Sequence, residues 1–216
     1  MSEEAAGSPL RPEHLRRQDE SDDSLFYREP RLVTHIDDAA IEAVTRFYGR
    51  LIAPGSRVLD LMTSWVSHLP DDLELSGVAG LGMNAVELEQ NPRLTERVVH
   101  DLNRDPRLPW DDETFDAAVV TVSVQYLTDA PKVFAEVGRV LKPGAPFAVA
   151  YSNRCFPTKA VAVWMLLSNQ EHADLIGLYF RLSGMFDAPQ AYDISPGPGS
   201  DPMYVVVATR KAIATA

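Results

Sequence analysis

The spacing of apolar residues changes along this chain, and the changes mark its elements. Ile41, Val44, Thr45, Tyr48 and Leu51 recur at three- and four-residue steps behind Asp37 and Asp38, either of which can cap a helix, and Ala53-Pro54-Gly55 stops it. Short apolar runs then appear at 57–62, 77–81, 97–100 and 115–122, the last rich in β-branched residues. Runs of this length, bounded by turn residues and lacking alternation, predict strands buried on both faces. A helix is predicted next, with Asp129 as its cap, Pro131 in its first turn and Val133, Phe134, Val137, Val140 and Leu141 on one face. Lys142-Pro143-Gly144 ends it. A fifth strand over 147–151, helices over 158–169 and 171–182, and strands over 190–194 and 203–209 complete the pattern. The Pro- and Gly-rich loop 195–202 makes the last two strands an antiparallel hairpin. Strands alternating with helices predict an α/β fold with a mostly parallel sheet, whose ligands bind beyond the carboxyl ends of the strands.

Composition narrows the picture. The chain has 216 residues, a length that suits one domain, and its formal net charge is -11. Residues 1–24 carry -4 of that charge with no clean apolar period, and read as a disordered acidic tail before a domain over 25–216. The remaining negative charge speaks against nucleic-acid partners. A single cysteine excludes an intramolecular disulfide and fits a reducing cytoplasm. The acidic start lacks the pattern of a secretory signal, and the longest apolar run, Ala160 to Leu167, is too short to span a membrane. The five histidines match no zinc spacing, so no metal is expected. A cytoplasmic protein that handles small molecules is the expectation.

Three segments resemble the class I S-adenosylmethionine-dependent methyltransferases of the small-molecule type: Val58-Leu-Asp-Leu61, the stretch from Leu108 to Asp116, and the stretch from Phe134 to Gly144 that holds Arg-Val-Leu-Lys-Pro-Gly. The resemblance covers about residues 36–212. It implies a Rossmann-like three-layer sandwich whose seven-stranded, mostly parallel sheet has an antiparallel C-terminal strand. It also implies S-adenosyl-L-methionine as cofactor and a small-molecule methyl acceptor. The chain departs from the family at two places. Met62, Ser64 and Val66 stand where three glycines follow the first strand, and Gly82 stands where an acid follows the second. A catalytically inactive binding or regulatory protein of the same fold, or one holding another nucleoside-like ligand, is the alternative.

The resemblance and the strand ends together select the candidate residues. Asp60, Met62, Ser64, Gly82, Met83, Asn84, Asp101, Leu102 and Ser123 are candidates for the cofactor. Asn84 offers a carbonyl to the ribose, Asp101 a carboxylate to the adenine amino group, and Gly80 and Gly82 a close backbone approach. Asp101 equally reads as a loop cap at a strand end. Tyr126, His35 and Cys155 are the catalytic candidates, and Tyr27, Arg31, Gln125 and Arg154 the substrate-binding ones. Tyr126 also reads as an aromatic packed beneath the next helix, and Cys155 either as a thiol of lowered pKa beside Arg154 or as a small buried hydrophobe. Residues 26–37 read as a lid over the cofactor or as a strap packed on the core. Trp65 either stacks on adenine or fills space left by the altered loop, and Val161, Trp164 and Leu167 form a core face or a dimer patch.

Overall fold

The computed structural model describes residues 9–212. Two short N-terminal turns of helix, the second being α1 (Asp23–Phe26), precede α2 (Asp38–Leu51), which Asp37 caps by accepting the Ala40 N–H at 2.8 Å. Then come β1 (Arg57–Leu61), β2 (Gly77–Gly82), α3 (Ala85–Gln90), β3 (Glu96–Val99) and β4 (Ala117–Thr121). The chain closes with α4 (Ala130–Val140), β5 (Pro146–Tyr151), α5 (Ala162–Leu166), α6 (Asn169–Ser183), β6 (Gln190–Asp193) and β7 (Tyr204–Thr209). The sheet order is β3-β2-β1-β4-β5-β7-β6, with β7 antiparallel to both its neighbours and the other pairings parallel. The expected Rossmann-like sandwich is therefore the fold observed. The order reverses between β1 and β4, which places a ligand crevice at their carboxyl ends.

The central strands are largely apolar, Asp60 being the buried exception, because helices cover both faces. On one side Phe134, Val137, Tyr179 and Phe180 of α4 and α6 pack on Leu59, Val120 and Phe147. On the other, Ala40, Val44 and Tyr48 of α2 pack on Val58, Val119 and Ala148. Val161 and Trp164 belong to the first cluster, so their row is core rather than a dimer patch.

Several expectations change. Residues 1–8 lie outside the described residues, but the rest of the expected tail packs on the domain. Arg17 pairs with Val161 as an antiparallel bridge, the Asp19 N–H donates to Thr158 O at 2.8 Å, and the Ala162 N–H donates to Arg16 O at 2.7 Å. That pairing takes residues 158–161, so the helix expected there is only α5. The following helix starts at Asn169, two residues early, because Ser168 and Glu171 form a capping box. Asp129 heads α4 without a side-chain cap bond, its carboxylate pairing instead with Lys132 at 2.6 Å. α3, six residues with no visible period, was not expected; Asn84 makes it by accepting the Val86 and Glu87 N–H groups at 2.9 and 3.1 Å.

The connection from β1 to β2 holds no helix. Residues 62–76 fold back over the sheet's end instead, with the Thr63 N–H donating to Leu81 O at 2.9 Å and Asn91 Nδ2 donating to Ser64 O and Ser67 Oγ. Its first residue, Met62, has φ 57°, the conformation a glycine adopts freely and a side chain at a cost of roughly 1–2 kcal/mol.

Candidate functional site

A cavity of about 510 Å³ lies across the carboxyl ends of β1 to β4, within the range of small-molecule sites. Asp60 and Met62 close it from β1, Leu81, Gly82 and Met83 from β2, Asp101 and Leu102 from the turn after β3, and residues 121–123 from the end of β4. Residues 153–156, after β5, form one rim. Over the top runs an N-terminal strap that contributes Asp23, Tyr27, Arg31, Val33, Thr34 and His35.

Hydrogen bonds tie the strap down element by element. Asp23, buried at 6% exposure, holds Arg17 through both carboxylate oxygens at 2.8 Å, Lys159 at 3.1 Å and the Asn103 amide at 2.9 Å. Burial alone would raise the Asp23 carboxyl, but hydrogen bonds from Arg17, Asn103 and Lys159 outweigh it and hold the group below the usual carboxylate range. Further on, Asn84 Nδ2 donates to the carbonyls of Tyr27 and Arg28, Glu87 accepts the Arg31 N–H at 2.7 Å, and Trp65 Nε1 donates to Val33 O at 3.1 Å. The strap is thus both lid and packed element, and Trp65 serves as its anchor.

All the candidate residues except Asn84 and Gln125 line this cavity. Asn84 is spent on capping α3 and holding the strap. Gln125 is buried behind the wall, its amide donating to Val122 O at 2.9 Å. Neither is placed to take the ligand role expected of it. Gly80 and Gly82 do not serve a ligand's close approach either. A Cβ on Gly80 would meet Leu94, and one on Gly82 would overlap the carbonyl oxygen of Thr63, so their smallness admits the refolded loop.

The catalytic candidates separate on protonation. Burial pushes the Cys155 thiol up, which favours the hydrophobe of its two readings over the lowered thiol, and its Sγ lies 4.0 Å from Met165 Sδ. Burial also pushes Tyr126 up to about 12, and its hydroxyl accepts the Phe156 N–H at 2.9 Å, which fixes it as a neutral, oriented group. His35 goes the other way: burial, aided by Arg31 and opposed by Glu87, holds it below the usual histidine range. It is a neutral base near neutral pH. Arg154 is exposed, 3.8 Å from Asp201.

Glu87 was not singled out by sequence. Glu87 is buried and accepts Ser64 Oγ at 2.6 Å as well as the Arg31 N–H. It follows Asn84 by three residues, which with a recognised cap would have marked it as first-turn acid. Arg31 Nη1, His68 Nδ1 and Ser123 Oγ are shut from solvent at the wall with no hydrogen-bond partner in the protein. Arg17 Nε, Arg93 Nε, Gln125 Oε1 and His172 Nδ1 are likewise unpartnered but belong to residues that do not line the cavity, so these three are the ones a polar ligand there can satisfy.

Asp60 and His68 give a pH signature. Burial raises Asp60 to about 6 against the hydrogen bonds from Ser67 Oγ and Thr63 Oγ1, and lowers His68 to about 4. The raised carboxylate binds its proton more tightly when folded, so its stability contribution is present at low pH and lost as pH rises through about 4 to 6. The depressed histidine does the reverse, losing stability as pH falls from its ordinary 6.5 toward 4. In the native protein the two offset each other. In Asp60→Asn the offset is gone, so between pH 6.5 and 4 the variant loses about 2 kcal/mol more stability than the wild type. Denaturant unfolding across that range measures it; parallel curves would mean that Asp60 is ionised throughout.

Residues 77–149 match a family model described as a methyltransferase domain. Sterol methyltransferase-like 1 of Botryococcus braunii is 31% identical over 146 residues, covering 63% of this chain and 35% of that protein. Methyltransferase phqN of Penicillium fellutanum is 32% identical over 106 residues, 45% of this chain and 32% of that protein. The chain therefore spans about a third of the length of these relatives. An S-adenosylmethionine-dependent methyltransferase structure from Thermotoga maritima superposes with a TM-score of 0.57 at 17% identity, covering 80% of this chain and 91% of that one.

Proposed function

We propose, from the premise that this chain is a class I S-adenosylmethionine-dependent methyltransferase by fold and by its sequence match over residues 77–149, that it transfers a methyl group to a small molecule bound in this cavity. The observation that carries the reading is the set of buried, unpartnered polar atoms where the sheet order reverses. The wall fits the cofactor in its parts. Asp101 uses Oδ1 to accept the Asn103 N–H at 2.9 Å and faces the cavity, where a carboxylate suits an adenine amino group. Met83 and Leu102 supply apolar faces for the ring, and Ser123 Oγ a free hydroxyl. The bound cofactor supplies an electrophilic methyl on a sulfonium, so much of the rate comes from positioning the two reactants.

The protein's own tasks follow. The strap and the 153–156 rim exclude water. Tyr126, fixed by Phe156, orients the acceptor, and neutral His35, packed edge-on against Phe156 at 5.2 Å, takes the acceptor's proton where it carries one. Two relatives are named as sterol methyltransferase-like proteins, and a small organic acceptor is the class proposed here. Among the described residues no helix is long and apolar enough to cross a membrane. The second reading, binding without transfer, draws on one observation: Thr63 O fills the space where the family's second-strand acid would stand.

Calorimetric titration with S-adenosylhomocysteine tests the reading. Wild type binds, and Asp101→Ala weakens the affinity about tenfold, the scale of one charge-assisted hydrogen bond. No heat and no thermal shift at millimolar ligand would sink it. Binding without methyl transfer to any small-molecule acceptor offered would favour the second reading.

A further inference from the structure

We propose that Arg31 is a carboxylate clamp, carried by the strap at the cavity wall. The inference rests on reading the cavity as the cofactor site. Three features of the guanidinium converge on it. First, Nη2 donates to Phe26 O at 2.9 Å, while Nη1 is buried at the wall and has no partner. Second, the group is wedged between aromatic faces, 4.4 Å from the Phe26 centroid and 5.5 Å from that of Phe156. These faces compensate part of the lost hydration of the charge and fix its plane, but they offer no anion. Third, the nearby Glu87 carboxylate takes the Arg31 backbone N–H and the Ser64 hydroxyl, not the guanidinium.

Three other cations around the strap are committed, and Arg28, on the strap, is exposed. Arg17 and Lys159 are held by Asp23, and Arg154 faces Asp201. A planar fork with one arm fixed and the other free, in a site screened from water, suits a carboxylate. The same geometry explains how the chain manages without glycines after β1. Anion recognition is then assigned to a side chain on the lid rather than to the loop's backbone.

Two carboxylates fit this chemistry: that of the cofactor's amino-acid end and one on the acceptor. Titrations of wild type, Arg31→Met and Arg31→Lys distinguish them, using S-adenosylhomocysteine, which has the carboxylate, and 5′-methylthioadenosine, which lacks it. If the cofactor is the source, Arg31→Met loses roughly 10- to 100-fold in affinity for the former and nothing for the latter, with Arg31→Lys between. If the acceptor is the source, both nucleosides bind all three proteins equally. Benzoate, but not benzamide, then shifts the melting of the wild-type complex with S-adenosylhomocysteine and leaves that of Arg31→Met unmoved. Equal loss for both nucleosides would make Arg31 a structural pin and overturn the clamp. So would unchanged nucleoside affinity together with no effect of benzoate. If neither nucleoside binds the wild type, the reading of the cavity itself fails and takes the clamp with it.

Discussion

Asp23→Ala lowers the thermal midpoint by about 10 °C and opens the strap to protease. The reasoning starts from the charges left behind. Asp23 is the anion shared by Arg17, whose side chain is 7% exposed, and by Lys159, whose side chain is wholly buried. Removing one member of a buried ion pair costs roughly 3–5 kcal/mol, because the partner stays desolvated without compensation. For a domain of this size each kcal/mol moves the midpoint by about 2–4 °C. The chain has one way to soften the loss. Residues 16–23 can lift off the 158–162 segment and return Arg17 and Lys159 to water, breaking the bridge between Arg17 and Val161. The cost is then limited to the docking energy of the strap, and the damage appears as mobility. Trypsin should accordingly cut at Arg28 and Arg31 well before any site in the sheet, and ligand affinity should fall with the lost roof. Lys159→Met is milder, since Asp23 still holds Arg17 and Asn103. Acidification acts like the Asp23 variant: a carboxyl held below its usual range contributes above its ordinary pKa of 3.8 and is lost as pH falls through the folded value. An unchanged midpoint with an unchanged cleavage pattern would show that this charge knot contributes nothing.

Periodicity read well wherever an element buries a face against its sequence neighbours. β4 and α4 were legible because a β-branched run leads into an amphipathic helix, and both bury residues, Val120 and Phe134 among them, in the same core cluster. Features made by distant partners were not legible. The pairing of residues 16–19 with 158–162 joins segments some 140 positions apart, and it turned an expected tail and helix into a short bridge. Lys159 is buried only because Asp19, Ser21 and Asp23 arrive from the other end of the chain. The site shows the same division. Strand ends directed attention to Asp60, Asp101 and Ser123, which do face the cavity. Asn84 was assigned to a ligand by its offset from Asp60, yet a polar residue before a six-residue helix is better explained as that helix's cap. Glu87 and the free arm of Arg31 depend on the strap's path, which local sequence does not encode.

The departure at Gly82 yields the sharpest expectation, because sequence and structure there predict opposite results. Restoring the family's acid by Gly82→Asp should, on resemblance alone, supply a ribose contact and tighten nucleoside binding. The structure predicts damage. Gly82 is buried at the end of β2, and its missing side chain leaves room for Thr63, whose N–H is tied to Leu81 O at 2.9 Å and whose hydroxyl is tied to Asp60 at 2.7 Å. A Cβ would overlap the Thr63 carbonyl, a backbone atom pinned from both sides, and relief requires moving the whole loop. Overpacking a core costs about 1–3 kcal/mol even where side chains yield, and a carboxylate on this buried strand end adds desolvation. A midpoint loss near 10 °C is expected for Gly82→Asp, and most of it already for Gly82→Ala. Gly80→Ala is the control. Its Cβ would meet the methyl ends of Leu94 and Thr63, side-chain atoms that can turn away, so the loss there is smaller. Calorimetry with S-adenosylhomocysteine completes the test, with Gly82→Asp binding no tighter than wild type. A variant that melts like wild type and binds more tightly would mean that the loop moves aside readily. The site would then have lost its ribose acid by substitution alone, with no refolding of the loop behind it.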